Sequence, residues 1–276
     1  MESARPRTPF SALAAVYERV AVPAMFVPEA QGLLAVAALQ PAERVLDVAC
    51  GTGIVARLAA PDVGPRGIIV GLDRNAAMLA VARACPPSAG PRIAWLQGDA
   101  CVLPFAAGAF EVVLCQNGLQ FVPDRPRALR EMHRVLRPGG RLVLNVVARE
   151  AASQAVEHAV AQLLAADALT LFREPFVLAD PTELAALCAD AGFQAVQVTS
   201  QRITARCPAV DDFVAFTLTV RLASVLQRLS PSEQRALHEA ARAQLAPYRT
   251  VDGLVFPIDM LVACARRPNG GTRDEN

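Results

Sequence analysis

Between residues 44 and 147 the chain alternates short apolar runs with Ala-rich stretches of helical spacing, and that alternation leaves few folds open. The runs are RVLDVA (44–49), GIIVGLD (67–73), RIAWLQGD (92–99), FEVVLCQ (110–116) and GRLVLNVV (140–147). Each is rich in β-branched residues and reads as a buried strand. IVARLAA and NAAMLAVARAC separate the first three as helical patterns, and RALREMHRVL precedes the fifth. Strands alternating with helices require right-handed crossovers, hence a parallel sheet covered on both faces. Pro138, Gly139 and Gly140 are expected to stop the helix before strand five.

The second half departs from this rhythm. A helix is expected over 151–171, with Ala155, Val156, Ala159, Val160, Leu163 and Leu164 at helical spacing, until FREPFVLADP interrupts it. PTELAALCADAGF predicts another helix, stopped by Gly192, leading into a sixth strand, QAVQVTSQRIT. Two more helices, 210–229 and 231–245, precede a last strand at 254–266, where Pro257 should fall at a bulge or an unpaired position.

The 276 residues, 53% of them hydrophobic, can bury a large core, and 27 basic against 26 acidic residues give a net charge of +1. That balance carries no electrostatic footprint for nucleic acid or an anionic membrane and suits a small, largely apolar partner. Charge or proline breaks each long apolar stretch before about 18 residues, so no membrane-spanning helix is expected and the chain reads as cytoplasmic. Seven cysteines without C-x-x-C pairing indicate neither a disulfide framework nor a zinc site. His133, His158 and His238 read as surface or packing residues, and no metal constellation is recognisable.

Gly51 and Gly53 end the first strand and open a helix, where backbone N–H groups and the positive helix end can receive an anion. GTGIVA also fits the G-x-G-x-x-A dinucleotide pattern, with Asp73 at a suitable distance for a ribose carboxylate, so a nicotinamide or flavin enzyme is one reading. Asp47 and Asp99 favour another. An acid within the first strand and one ending the third repel a pyrophosphate and accept an ammonium or an adenine amino group, as in a nucleoside joined to an amino acid.

VLDVACGTG, GLD (71–73), GDA (98–100), FEVVLCQNGLQFV and LRPGGRL resemble, in order and spacing, the motifs of class I S-adenosylmethionine-dependent methyltransferases. They are most similar to the group that includes the ubiquinone and menaquinone biosynthesis enzymes and small-molecule methyltransferases of secondary metabolism. The resemblance implies a Rossmann-like α/β fold: a seven-stranded, mostly parallel sheet with helices on both faces and helical cap or lid insertions. It implies one domain overall, with an N-terminal helical cap (1–42), a cofactor-binding core (43–148) and a helical insertion (149–181). A further helix and strand of the core (182–206), a helical lid (207–252), a final strand (253–268) and a disordered tail (269–276) complete it.

In that likeness Asp73 accepts both ribose hydroxyls, and Asp99 accepts from the adenine amino group beside Ala100 and Cys101. Cys50, Gly51 and Gly53 underlie the methionine moiety, Asp47 orients its ammonium, and Arg74, Leu72, Leu103 and Gln116 line the cavity. Tyr17, Gln116 and Gln120 are the polar groups expected at the reacting centre. Phe26, Phe121, Phe172, Phe176, Phe213, Phe216 and Tyr248 are candidates for binding an apolar or aromatic acceptor. The expected function is in-line methyl transfer from S-adenosylmethionine, leaving S-adenosylhomocysteine, in quinone or secondary-metabolite synthesis. A cyclisation or rearrangement on the same fold and a nicotinamide-dependent oxidoreductase are the alternatives. No nucleic acid, membrane insertion or metal is expected, and a homodimer is left open.

Overall fold

The computed structural model describes residues 9–269. One sheet holds β1 (Arg44–Val48), β2 (Ile68–Asp73), β3 (Ile93–Gln97), β4 (Phe110–Gln116), β5 (Leu136–Glu150), β6 (Gln194–Cys207), β7 (Arg249–Thr250) and β8 (Gly253–Arg266). Its order is β3-β2-β1-β4-β5-β8-β6, with the two-residue β7 antiparallel to β8. β1 runs parallel to β2 and β4, and the β2–β3 and β4–β5 pairs are parallel too. Seven strands on the path is the expected number, and β7 adds a short eighth that TVDG alone does not announce.

The α-helices are α1 (Pro9–Val16), α2 (Val27–Ala37), α3 (Ile54–Val63), α4 (Ala76–Ala84), α5 (Arg125–Val135), α6 (Ala151–Leu163), α7 (Ala166–Arg173), α8 (Pro181–Asp190), α9 (Val210–Leu226) and α10 (Pro231–Gln244). The helix expected over 151–171 is thus two, α6 and α7, broken at Leu164–Ala165, which are extended in backbone. The chain divides into two compact units. A helical unit takes residues 9–28, Arg149–Glu174 and Ile203–Ile258, and a core unit takes Glu29–Ala148, Pro175–Arg202 and residues 259–269.

Alternation along the strands builds the core unit. Val45, Ile69, Val112 and Leu114 face Leu33 of α2 and Val55, Ala59 and Val63 of α3. Leu46, Val48, Val113, Leu142 and Leu144 face Leu129 and Met132 of α5 and Leu184 and Cys188 of α8. Neighbouring residues of one strand serve opposite faces, as period-two side chains must. Each such buried Val or Leu stabilises the fold by roughly 1.5–3 kcal/mol.

Three expectations change. The strand-five segment begins at Leu136, ahead of Pro138, because α5 already ends at Val135. Arg137 to Gly140 lie in a bulge: Phe110 pairs with Leu136 but Val112 with Arg141. The N-terminal helix runs on from Pro9 to Ala37 through a π-helical stretch, Tyr17–Phe26, that contains Pro23. A wider turn accommodates a residue with no N–H to donate. Charge and proline therefore do not break this helix, and Leu13–Ala37 is long and apolar enough, by length and composition, to cross a membrane, with 50% of its most apolar window buried within the structure. Asn269 is described, and the rest of the expected tail, 270–276, lies outside the described residues.

Candidate functional site

The strand order reverses direction between β3 and β4, on either side of β1, and a crevice outside the carboxyl ends of strands forms where connections diverge in this way. Those ends carry the predicted residues. After β1 the chain turns through Ala49 (φ 57°), Gly51 (φ 55°) and Gly53 (φ 85°) into α3. Gly53 has no alternative: a Cβ there would stand 2.2 Å from the Trp95 ring, and one on Gly71 2.3 Å from it. Trp95, on β3 in register with Gly71, thus props the loop through two glycines. Sequence reasoning missed it, although the single tryptophan opposite a strand glycine was the available signal.

Asp47 is fully buried. Its Oδ2 accepts from the Ala56 N–H at 3.2 Å, whereas Oδ1 has no hydrogen-bond partner. Burial raises its pKa to about 8, aided by the nearby negative charge of Asp73. Asp73, at the end of β2, is itself buried. Its Oδ2 accepts from the Gly51 N–H at 2.8 Å and its Oδ1 from the Asn75 N–H at 2.7 Å. The glycine-loop amide that could have received an anion is therefore engaged by a carboxylate. Two acids in one low-dielectric pocket disfavour a diphosphate and favour a ligand bringing positive charge and donors. Thr52, also buried, has a hydroxyl without a partner.

The two buried cysteines beside these acids, Cys50 and Cys115, add no reactive group. Burial raises the Cys50 thiol, as do Asp47 and Asp73, and burial raises Cys115 to about 12, so both stay protonated.

Asp99 is exposed, and its Oδ1 accepts from the Cys101 N–H at 2.8 Å in an Asx turn. Ala100 and Cys101 are half-buried there, and the Arg127 guanidinium donates to the Cys101 carbonyl at 2.9 Å. Arg74 is exposed, its carbonyl accepting from Gln97 Nε2 at 3.1 Å. Leu72 and Leu103 belong to the apolar core cluster against α5.

Gln116, the last residue of β4, is half-buried, and Asn117 after it takes a left-handed conformation (φ 48°). Gly118 nests against Ala49, where a Cβ would meet the Ala49 methyl at 2.6 Å, so the loops after β1 and β4 abut. Gln120 is 2% exposed with Oε1 unpartnered. Phe121 is 49% exposed. Asn117 Nδ2 donates to Glu29 Oε2 of α2; Glu29 is 3% exposed and was not foreseen, though an acid in the apolar VPEAQGLL run was the signal.

The remaining predicted aromatics, Phe176 apart, lie in the helical unit. Tyr17 stacks on Phe26 with ring centroids 4.8 Å apart and meets Phe216 at 5.9 Å. Phe213 packs on Phe256, both buried. Phe172 is fully buried beneath the Arg221 guanidinium, 4.8 Å from its ring centroid, and Tyr248 is half-exposed. Phe176, half-buried, belongs to the core unit. The geometry thus gathers Asp47, Gly51, Gly53, Asp73 and Gln116 at strand ends in one unit, while Phe172 and Phe213 serve as packing residues in the other.

Residues 46–144, about a third of the chain, match the family model described as "Methyltransferase domain". Over 99 residues the chain is 50% identical to the 2-phytyl-1,4-naphtoquinone methyltransferase of Thermosynechococcus vestitus, covering 36% of this chain and 44% of that protein. It is 44% identical over 100 residues to the demethylmenaquinone methyltransferase of Lactococcus lactis, covering 36% and 40%. The match thus spans less than half the length of either relative. Among solved structures, Haemonchus contortus phosphoethanolamine N-methyltransferase 2 in complex with S-adenosyl-L-methionine is similar with a TM-score of 0.53 at 19% identity, over 87% of this chain and 53% of that one. At that identity the likeness shows the fold alone, a Rossmann-like α/β sheet.

Proposed function

We propose that the protein is an S-adenosylmethionine-dependent methyltransferase whose acceptor is a small, largely apolar or aromatic molecule of the quinone class. One observation carries this: Asp47 is buried beside Asp73 with Oδ1 unpaired, in a loop whose Gly51 amide is already engaged. An ammonium fits there and a diphosphate does not. In this reading Asp47 and the Gly51–Gly53 turn hold the amino-acid end, with Cys50 and Gln116 beside it. Asp73 receives the ribose hydroxyls on the lone pairs that Gly51 and Asn75 leave open. Asp99, Ala100 and Cys101 border the adenine, with Arg74 at the rim. When bound, the cofactor supplies a methyl group on a sulfonium, a leaving group that needs no protonation.

The chain's task is then alignment and exclusion of water, which can contribute roughly 7–11 kcal/mol of barrier lowering. In the core unit, Gln116 and Gln120 orient the acceptor and Phe121 and Phe176 set its selectivity. In the helical unit, Tyr17, Phe26, Phe216 and Tyr248 are the residues proposed to contact it. The names of the two relatives support a quinone-like acceptor. The enzyme acts on this small molecule in the cytoplasm, apart from nucleic acid, without inserting in a membrane and without a metal.

Calorimetry with S-adenosylhomocysteine, followed by transfer of labelled methyl to reduced 1,4-naphthoquinones, tests the reading. Binding and transfer are expected. Binding of a nicotinamide dinucleotide in place of S-adenosylhomocysteine would contradict it.

A further inference from the structure

A buried polar relay runs from α2 to the loop after β4. Glu29 accepts from Asn117 Nδ2, Asn117 Oδ1 accepts from Gln120 Nε2 at 3.5 Å, and Gln120 Oε1 has no partner although the residue is 2% exposed. The polarity of this chain is not free. A carboxylate only accepts, so Asn117 must turn its NH2 to Glu29 and its oxygen to Gln120. Gln120 must then turn its NH2 to Asn117, which leaves its own oxygen buried without a donor. The Asn117 backbone is held as well, its N–H donating to the Asn145 carbonyl at 3.0 Å in a left-handed conformation that favours Asn among non-glycine residues. Arg125 donates to the Gln120 backbone carbonyl at 3.0 Å and holds the main chain of that residue.

A buried acceptor left without a donor costs about 1–3 kcal/mol, so a built relay that ends on one is matched to a ligand donor. Asp47 already offers a carboxylate to the ammonium. We infer that Glu29, acting through Asn117, orients Gln120 so that its Oε1 accepts a hydrogen bond from a hydroxyl of the methyl acceptor, making Gln120 a specificity-determining residue for a phenol or hydroquinone rather than its ether or quinone form. Glu29 is the positioning residue. This rests on the function proposed above and adds to it the chemical form of the acceptor that is selected.

The test titrates protein saturated with S-adenosylhomocysteine with two probes, naphthalene-1,4-diol and 1,4-dimethoxynaphthalene. Wild type is expected to bind the diol about tenfold more tightly, the worth of one well-made hydrogen bond to a buried group. Gln120→Met, close in volume but without an acceptor, and Glu29→Gln, isosteric but able to present either polarity, should each bring that preference to within about twofold. Their affinity for S-adenosylhomocysteine should stay that of wild type. The double variant should be no worse than Gln120→Met alone, a non-additivity that a merely structural role for Glu29 would not produce. Tight S-adenosylhomocysteine binding with no preference for the diol in wild type would overturn this inference and leave the proposed function standing. Additive losses in the double variant would remove Glu29 from it. Failure to bind S-adenosylhomocysteine at all would overturn the proposed function, and this inference with it.

Discussion

Each unit holds a buried carboxylate, and the two are treated in opposite ways. In the helical unit Glu150 has both oxygens engaged: Oε1 by the Ser153 hydroxyl at 2.6 Å and Oε2 by Arg221 at 3.1 Å. Arg221 in turn donates to the Phe172 carbonyl at 3.2 Å and covers its ring. Asp47 in the core unit has one oxygen on a backbone amide and the other on nothing. A buried carboxyl group whose partners are all internal belongs to the fold. One whose partner is missing identifies where the molecule expects something from outside.

The contrast can be broken from either side. The largest effect should come from Arg221→Leu, which strands Glu150 in the interior and should lower unfolding free energy by about 3–5 kcal/mol in urea titration. A loss below about 1 kcal/mol would mean that the pair is not the closed unit described. Asp73→Ala should weaken S-adenosylhomocysteine at least about tenfold in calorimetry, through the lost ribose contacts and the released Gly51 amide. Unchanged affinity would defeat the ribose assignment.

Proton linkage sharpens the comparison. Because burial holds Asp47 protonated up to about pH 8, whereas an ammonium requires it ionised, affinity should rise with pH between about 5.5 and 7, by up to about tenfold per unit, with proton release on binding. Flat affinity over that range would contradict a protonated Asp47 in the free protein. The smallest expected effect is in the helical unit: Phe216→Ala or Tyr248→Ala should weaken acceptor binding about threefold with S-adenosylhomocysteine affinity unchanged. The opposite pattern would assign these aromatics to the cofactor.

The first four strands were legible because each is a short, mostly apolar run rich in β-branched residues, and their observed limits fall within two residues of the expected ones. The acids at strand ends were legible for the same reason, since a charge closing an apolar run stands out. What was not legible depends on long-range contacts. Leu136 joins the sheet ahead of Pro138 because β4 offers a pairing partner at Phe110. The helix persists through Pro23 because a π turn absorbs it. Glu29 lies 88 residues from Asn117 in sequence, so the relay that orients Gln120 exists only once α2 meets the end of β4. Phe172 and Phe213 have the composition of pocket walls, and only the ion pair and ring contacts around them reveal packing residues.

The central claim, that Asp47 is held ready at a cost to the fold, is tested most directly by Asp47→Asn in paired thermal melts and S-adenosylhomocysteine titrations. A carboxyl with its pKa raised from 3.8 to about 8 keeps its proton in the folded protein and loses it on unfolding, so it subtracts stability as pH rises through that interval. Asn removes that penalty. At pH 7 the account predicts a variant more stable by roughly 2–4 kcal/mol that binds S-adenosylhomocysteine about ten- to a hundredfold more weakly. A variant that melts no higher than wild type and binds as tightly would contradict it.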